Sequence, residues 1–367
     1  MFIRTVSKQG ITSAITGISL ILAGGVLLAY PNAVATGISR GMAVCTTVII
    51  PTLYPFMLLS GLLTDSNLCR RPGRCTRWIT GRLFGLPGCC GPAILLSLVG
   101  GYPAGMLAVA GLYRQGSITY NQWKRLSAYC VGAGPGFIVG TIGASLLGST
   151  QAGILLYVAQ VVTSLGMGVW LGRGHQGQQE SPSQTLPKRP AAEMVADSCR
   201  ALLTMCGFVV AAATVLSLAE AIGVAGMVAA VTGWNTGWIS AGLAGLLEVS
   251  CGCLAVVGLP FAPVWLSLIL SWGGLSVQGQ LAATLPEERL LTPRFWGYRL
   301  IHGTVSASLT LLLFRLFPTQ LQVMSNTPSA IPYSVSAQGS VMLLILTFLA
   351  MLYFSQKNTG NRKRGMV

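Results

Sequence analysis

The chain has 367 residues, 52% of them hydrophobic and only 8% charged, with a formal net charge of +15. Soluble domains carry roughly 25% charged residues, so this chain cannot cover a globular surface with charge, and a mean hydropathy of +0.67 points to lipid as its solvent. Its basic residues fall in short clusters between apolar stretches, the pattern of membrane topology, which argues against nucleic acid as a partner.

The expected fold is an all-α polytopic membrane protein. A helix needs about 20 apolar residues to cross the hydrocarbon core. By that criterion spanning helices are expected at 11–29, 43–63, 128–148, 152–172, 201–222, 262–280, 298–316 and 339–355. The first follows Arg4 and Lys8, and Ala33-Val34-Ala35 resembles a cleavage site. The run over 11–29 is longer than a signal-peptide core of about 7–15 residues, so an uncleaved helix is expected.

Two further apolar stretches, 92–112 and 237–259, are broken near their middles by Gly100-Gly101-Tyr102-Pro103-Ala104-Gly105 and by Glu248-Val249-Ser250-Cys251-Gly252-Cys253. Glycine and proline interrupt helices. Each stretch is therefore either a kinked span or a re-entrant hairpin, and charge decides between them, because Lys and Arg accumulate on the cytoplasmic side. With both as hairpins and the N-terminus inside, only Arg40 and Arg315 fall outside among the assigned basic residues, and Arg299 counts among the cytoplasmic charges at the start of the 298–316 span. With both as full spans, Arg114, Lys124, Arg125, Arg173, Lys188, Arg189 and Arg200 move outside as well. The hairpin arrangement is expected. It puts both termini in the cytoplasm and makes 317–338, which lacks Lys and Arg, an external loop.

Each half then reads as helix, hairpin, interrupted helix, helix, in opposite orientation. The expected organisation is a peripheral helix within 1–42, a first repeat over 43–172, a polar cytoplasmic linker over 173–200, a second repeat over 201–316, and an external loop, last helix and basic tail over 317–367. Inverted repeats of this kind are common in secondary transporters.

Non-helical backbone at membrane depth needs cover from protein or a watery cavity. Four breaks qualify, two per half: Gly100–Gly105, Gly132–Gly136, Glu248–Cys253, and Trp272-Gly273-Gly274 with Ser276, Gln278 and Gln280 following. Half-helix N-termini at such breaks attract anions. The competing reading is that the glycines serve close helix packing. The candidate substrate-binding set is Gly100, Gly101, Tyr102, Pro103, Gly105, Gly132, Gly134, Pro135, Gly136, Glu248, Ser250, Gly252, Gly273, Gly274, Ser276 and Gln278.

Glu248 is the acid expected near mid-membrane, where a charge is costly and usually marks function. It either binds a coupling ion, carries a proton, bonds substrate, or pins its hairpin. Tyr102 offers a ring and a hydroxyl, and Gln278 and Gln280 offer amides. His302, alone near an inner helix end, reads as a packed histidine. The tryptophans at 78, 234, 238, 265, 272 and 296 read as an aromatic belt. Of the ten cysteines, Cys69, Cys75, Cys89 and Cys90 share one Arg-rich loop, which leaves a metal site open there although the spacing fits no zinc pattern well, and no metal is expected. No P-loop, G-x-S-x-G or H-E-x-x-H run occurs, so no enzymatic activity and no cofactor are expected.

In order along the chain stand Pro51-Thr52-Leu53-Tyr54-Pro55-Phe56, the run SLVGGYPAG ending at Gly105, the Gly132–Gly136 segment, the Glu248 segment and the Gly-Gly-Leu-Ser-Val-Gln run at 273–278. Over about 40–316 the chain thereby resembles sporulation integral membrane proteins of the nucleoside-recognition, or Gate, domain family. The resemblance implies an endospore-forming bacterium and a place in the plasma membrane or the mother-cell-derived membrane around the forespore. It also implies transport of a small anionic aromatic solute, dipicolinate, with the two hairpin tips and the two broken helices lining the site. It leaves two alternatives: a nucleoside or nucleobase transporter, and a non-transporting component of spore maturation acting through membrane partners. Beyond substrate and lipid bilayer, a coupling ion and a homo-oligomer are open under any of the three.

Overall fold

The structure, a computed structural model, describes residues 8–64, 74–174, 190–285, 290–319 and 321. Among these residues the chain is helical, with no strand. The expected span at 339–355 lies outside them, as do most of the 173–200 linker and the 317–338 loop.

The N-terminal helix α1 runs Lys8–Ala29. Pro31, at a first helical position where its missing N–H is harmless, opens α2 (Pro31–Val44). A π-helical turn, Cys45–Ile49, joins α2 to α3 (Ile50–Thr64). The expected span at 43–63 thus begins twelve residues early, at Pro31. The apolar count missed those residues because Asn32, Thr36, Ser39 and Arg40 dilute them.

After a short α4 (Arg74–Ile79) come α5 (Cys90–Val99) and α6 (Tyr102–Arg114). A Cβ on Gly105 would stand 2.4 Å from Ser97 Cβ and 2.6 Å from its Cα. In one continuous helix residues eight apart are separated by about 12 Å, so the chain reverses at Gly100–Gly101. The stretch is a helical hairpin. Next come α7 (Tyr120–Tyr129), a non-helical segment, a π-helical run Gly136–Leu146, and α8 (Thr150–Gly172). Thr119 starts α7 with a capping box closed by Gln122, and Ser149 caps α8.

The second half opens with α9 (Ala191–Ile222), which starts ten residues before the expected span at 201. Pro190 fixes that start, so the last stretch of the expected linker is helix. A short α10 (Val224–Thr232) follows, and no sequence expectation covered it. Then come α11 (Thr236–Leu247) and α12 (Val249–Val256). A Cβ on Gly252 would lie 2.3 Å from Gly245 Cα, so this stretch also reverses, at Glu248, and is the second hairpin. The expected span at 262–280 is α13 (Ala262–Trp272) and α14 (Gly274–Thr284), split at Gly273. The last described helix is α15 (Pro293–Leu316), begun by Thr292 as cap and Pro293.

Among the described residues three helical stretches are long and apolar enough to cross a membrane: Pro31–Leu58, Thr150–Gly172 and Ala192–Ile222. The burial pattern is that of a protein in lipid. Leu28, Leu203, Val231, Trp234 and Phe261 are exposed, whereas Gln160, Glu248, Arg299, His302 and Thr310 are buried. Polar side chains in the interior and apolar ones on the surface suit a hydrocarbon solvent. Gly37 and Gly41 let α2 approach α9 to backbone contact, since a Cβ on either would stand within 2.7 Å of Thr214 or Val210 Cα. Near the end of that seam Arg40 pairs with Glu220 at 3.1 Å.

Candidate functional site

The four breaks meet. At the first hairpin tip Gly101 has φ +80° and ψ −170°, a conformation open essentially to glycine alone. A Cβ there would lie 3.1 Å from Gly134 N, and one on Gly134 would lie 3.2 Å from Val99 O. The tip therefore rests directly on the Gly132–Gly136 break. Gly100 ends α5, and Tyr102 and Pro103 begin α6.

In the second half Gly273 and Gly274 both have positive φ, +79° and +72°. A Cβ on Gly274 would stand 3.0 Å from Glu248 Cα, Leu247 O and Val249 N. The second tip thus sits on the second broken helix, as the first tip sits on the first. Trp272 strengthens this contact by donating its indole N–H to Leu246 O at 3.2 Å.

Tyr102 joins the halves. Its hydroxyl donates to Leu270 O at 2.5 Å, and its ring edge lies 3.3 Å from where a Gly273 Cβ would be. The buried Tyr102 ring is thus held by the first tip against the break of the other half.

Arg299 is the residue sequence reading misplaced. It was expected among the cytoplasmic topology charges at the edge of a span starting at 298. Because α15 begins at Pro293, Arg299 lies about 9 Å further in along the helix axis. It is 0% exposed. Its guanidinium donates to Val131 O, to Ala128 O at 2.8 Å and to Ser271 O at 3.2 Å. The first two carbonyls flank the end of α7 at the first break, and the third is at the end of α13 before the second. One side chain therefore ties both broken helices together.

Glu248 is buried, 1% exposed, and caps α12: its Oε2 accepts the Cys251 N–H at 2.6 Å, while Oε1 has no hydrogen-bond partner. The carboxylate thus sits at the positive end of α12, and the Glu248 Cα packs on the start of α14 at Gly274. Ser250 is buried in the first turn of α12, and Ser276 is buried in the first turn of α14 with its hydroxyl unpartnered.

Other candidates have packing duties. Gly252 lets the arms of the second hairpin touch, and Gly105 does so in the first. A Cβ on Gly136 would strike Phe56 at 2.5 Å and Thr52 O at 2.9 Å, which packs the first break on α3. Pro135 starts the π-helical run. Gln278 gives its amide N–H to Trp272 O at 3.2 Å and accepts from Trp296 Nε1 at 2.9 Å, so it braces the second break. Trp296, expected in an aromatic belt, is thereby a partner of the break. Gln280 is buried.

Gly132 is different, because nothing lies within 4 Å of its would-be Cβ. It lines a small cleft with Ser97, Tyr129, Tyr157, Gln160 and Ser164. Beside that cleft a buried polar ladder joins α8, α13 and α15. Gln160 donates to Ser267 O and Ser271 Oγ at 2.9 Å. Ser267 bonds Ser306 and Thr310, both at 2.9 Å. His302, expected as a packed histidine, is buried, with its Nε2 2.8 Å from Ser164 Oγ. The spacings Ser267-x3-Ser271 and His302-x3-Ser306-x3-Thr310 put each set on one helix face and were readable as such. Among the described residues no group of His, Cys, Asp and Glu side chains is arranged to hold a metal ion. Cys69 and the side chain of Cys75 lie outside them.

No family model matches the chain, and no solved structure matches it. Over 388 aligned residues, 92% of this chain and 95% of the relative, it is 24% identical to the sporulation integral membrane protein YlbJ of Bacillus subtilis (strain 168), so that the chain is similar over nearly its whole length to a sporulation integral membrane protein.

Proposed function

We propose that this protein moves a small anionic aromatic solute across the membrane by alternating access, and that the solute is dipicolinate during sporulation. The observation that carries this reading is the convergence of four helix breaks around Tyr102, Gly273 and Arg299. Broken helices at membrane depth need a reason, and a solute path supplies one. The starts of α6 and α14 carry N–H groups that favour an anion without a full positive charge. Tyr102 and the apolar side chains around it supply a wall for an aromatic ring.

In this reading 43–172 and 201–316 form an inverted repeat of the Gate type, with both termini in the cytoplasm. Each tip and its facing break make one half of the site, and the halves rock against each other across the Tyr102 and Arg299 contacts. Glu248 holds the second tip or carries the coupling ion. The protein acts as a transporter rather than an enzyme and needs no cofactor. Near full-length similarity to a sporulation integral membrane protein supports a membrane role in sporulation, and in this reading its place is the plasma membrane or the mother-cell-derived membrane around the forespore.

The test is uptake of labelled dipicolinate into proteoliposomes holding the full chain, with unlabelled uridine in excess. Saturable uptake that uridine leaves unchanged is expected. Uptake blocked by uridine would replace the substrate with a nucleoside. No uptake under any imposed gradient would favour a non-transporting component that acts through membrane partners.

A further inference from the structure

Arg299 is a cation buried in the protein interior, 0% exposed. A charge so placed costs several kcal/mol unless it is compensated. None of the acids among the described residues pairs with it, and Glu248 points its bonded oxygen at Cys251 instead. The guanidinium has carbonyls of Ala128, Val131 and Ser271, which lie at helix C-terminal ends and carry partial negative charge. That compensation is fractional, and the Nε–H has no partner at all. The hydroxyl of Tyr129, next in the chain to Ala128 and lining the cleft at the first break, is buried and unpartnered too.

We infer that Arg299 is an anion-binding subsite, which takes one carboxylate of the solute through its Nε–H and a second N–H given up by a helix-end carbonyl. This rests on the transport reading above and names the residue that selects charge within it. A planar guanidinium matches a carboxylate in two parallel hydrogen bonds, which a lysine cannot reproduce. An incoming carboxylate completes the neutralisation that the three carbonyls only begin. Because Ala128 and Val131 belong to one break and Ser271 to the other, the exchange of carbonyl for carboxylate also loosens the strut between the two halves. Binding and movement are coupled at one side chain.

The experiment is equilibrium binding to the detergent-purified full chain, using pyridine-2,6-dicarboxylate and its uncharged diamide as probes. Wild type is expected to favour the dicarboxylate by at least about tenfold. Arg299→Gln should bind both probes within about threefold of each other, and Arg299→Lys should keep part of the preference, with dicarboxylate affinity lowered about threefold and diamide affinity unchanged. A purely structural role would weaken both probes alike and preserve their ratio, which would overturn the inference. If Arg299→Gln yields no monodisperse protein, Arg299→Lys decides by the same comparison: a fall confined to the dicarboxylate supports the subsite, and an equal fall overturns it. Wild type that binds and transports the dicarboxylate while Arg299→Gln keeps the ratio sinks the subsite alone. Wild type that binds neither probe sinks it together with the transport reading.

Discussion

The hydroxyl of Tyr102 donates a 2.5 Å hydrogen bond to the backbone oxygen of Leu270, a residue 168 positions away in the opposite half of the chain. The first hairpin tip is thereby fastened to the end of α13, one turn before the second break. A contact of this kind holds one arrangement of the two halves against another. Tyr102→Phe keeps the ring against Gly273 and removes only the fastening, at a cost of about 1 kcal/mol. The expected result is a small loss of thermal stability in detergent and a larger change in uptake rate than in substrate affinity. An unchanged rate with weakened affinity would instead make the hydroxyl a substrate contact.

Two glycines of the first site should behave in opposite ways. Gly101→Ala puts a side chain on a backbone at φ +80° and drives it to 3.1 Å from Gly134 N, a strain of about 1–3 kcal/mol before any clash. The yield of monodisperse protein should fall sharply. Gly132→Ala meets nothing within 4 Å, so the protein should fold normally while uptake falls, because the methyl group enters the cleft. Equal folding defects in the two variants would refute the division between packing and lining glycines.

Those breaks were legible in the sequence because their cause is local: glycine and proline act on their own backbone. The hairpins were legible through charge, because a full span would have carried seven basic residues to the wrong side. Arg299 was not legible. Its depth depends on where α15 begins, and that is set by Thr292 and Pro293 at the end of a weakly apolar run. Its partners are backbone carbonyls 28 to 171 residues away, which no side-chain pattern reports. Gln278 is a related case. An amide in an apolar stretch reads equally as a ligand contact or as a structural brace, and its bonds to Trp272 O and Trp296 are not visible in the sequence.

Glu248→Gln tests the carboxylate itself. The amide oxygen can still accept the Cys251 N–H, so the cap on α12 survives, and the lost charge at a helix start costs about 0.3–1 kcal/mol. Insertion and stability should be nearly those of wild type while uptake is abolished. Full uptake in this variant would leave Glu248 as a structural cap and remove it from the transport step.

The Arg40–Glu220 pair is half-exposed, with side chains 44% and 49% accessible, and such pairs contribute about 0–1 kcal/mol. Arg40→Ala should therefore shift thermal stability little. The seam beneath it should not be forgiving. Gly41→Val would push a branched side chain into Val210, whose Cα lies 2.7 Å from the would-be Cβ, and should cost several-fold more than the loss of the ion pair. A large effect of Arg40→Ala with a mild effect of Gly41→Val would reverse the assignment of what holds α2 to α9.

The opposed orientation proposed for the two hairpins has a direct consequence for accessibility. The loop after the first hairpin, at Gln115, should face the cytoplasm, and the loop after the second, at Gly258, should face outward. Gly258 has open space around it, so a cysteine there should not perturb the fold. Single cysteines at these two positions, in a chain whose native cysteines are replaced, should react with a membrane-impermeant maleimide from opposite sides: Gly258→Cys in intact cells, and Gln115→Cys only after the membrane is opened. Labelling of both in intact cells would mean that both broken stretches cross the membrane. The basic residues from Arg114 to Arg200 would then lie on the external face, against the bias that Lys and Arg show for the cytoplasm.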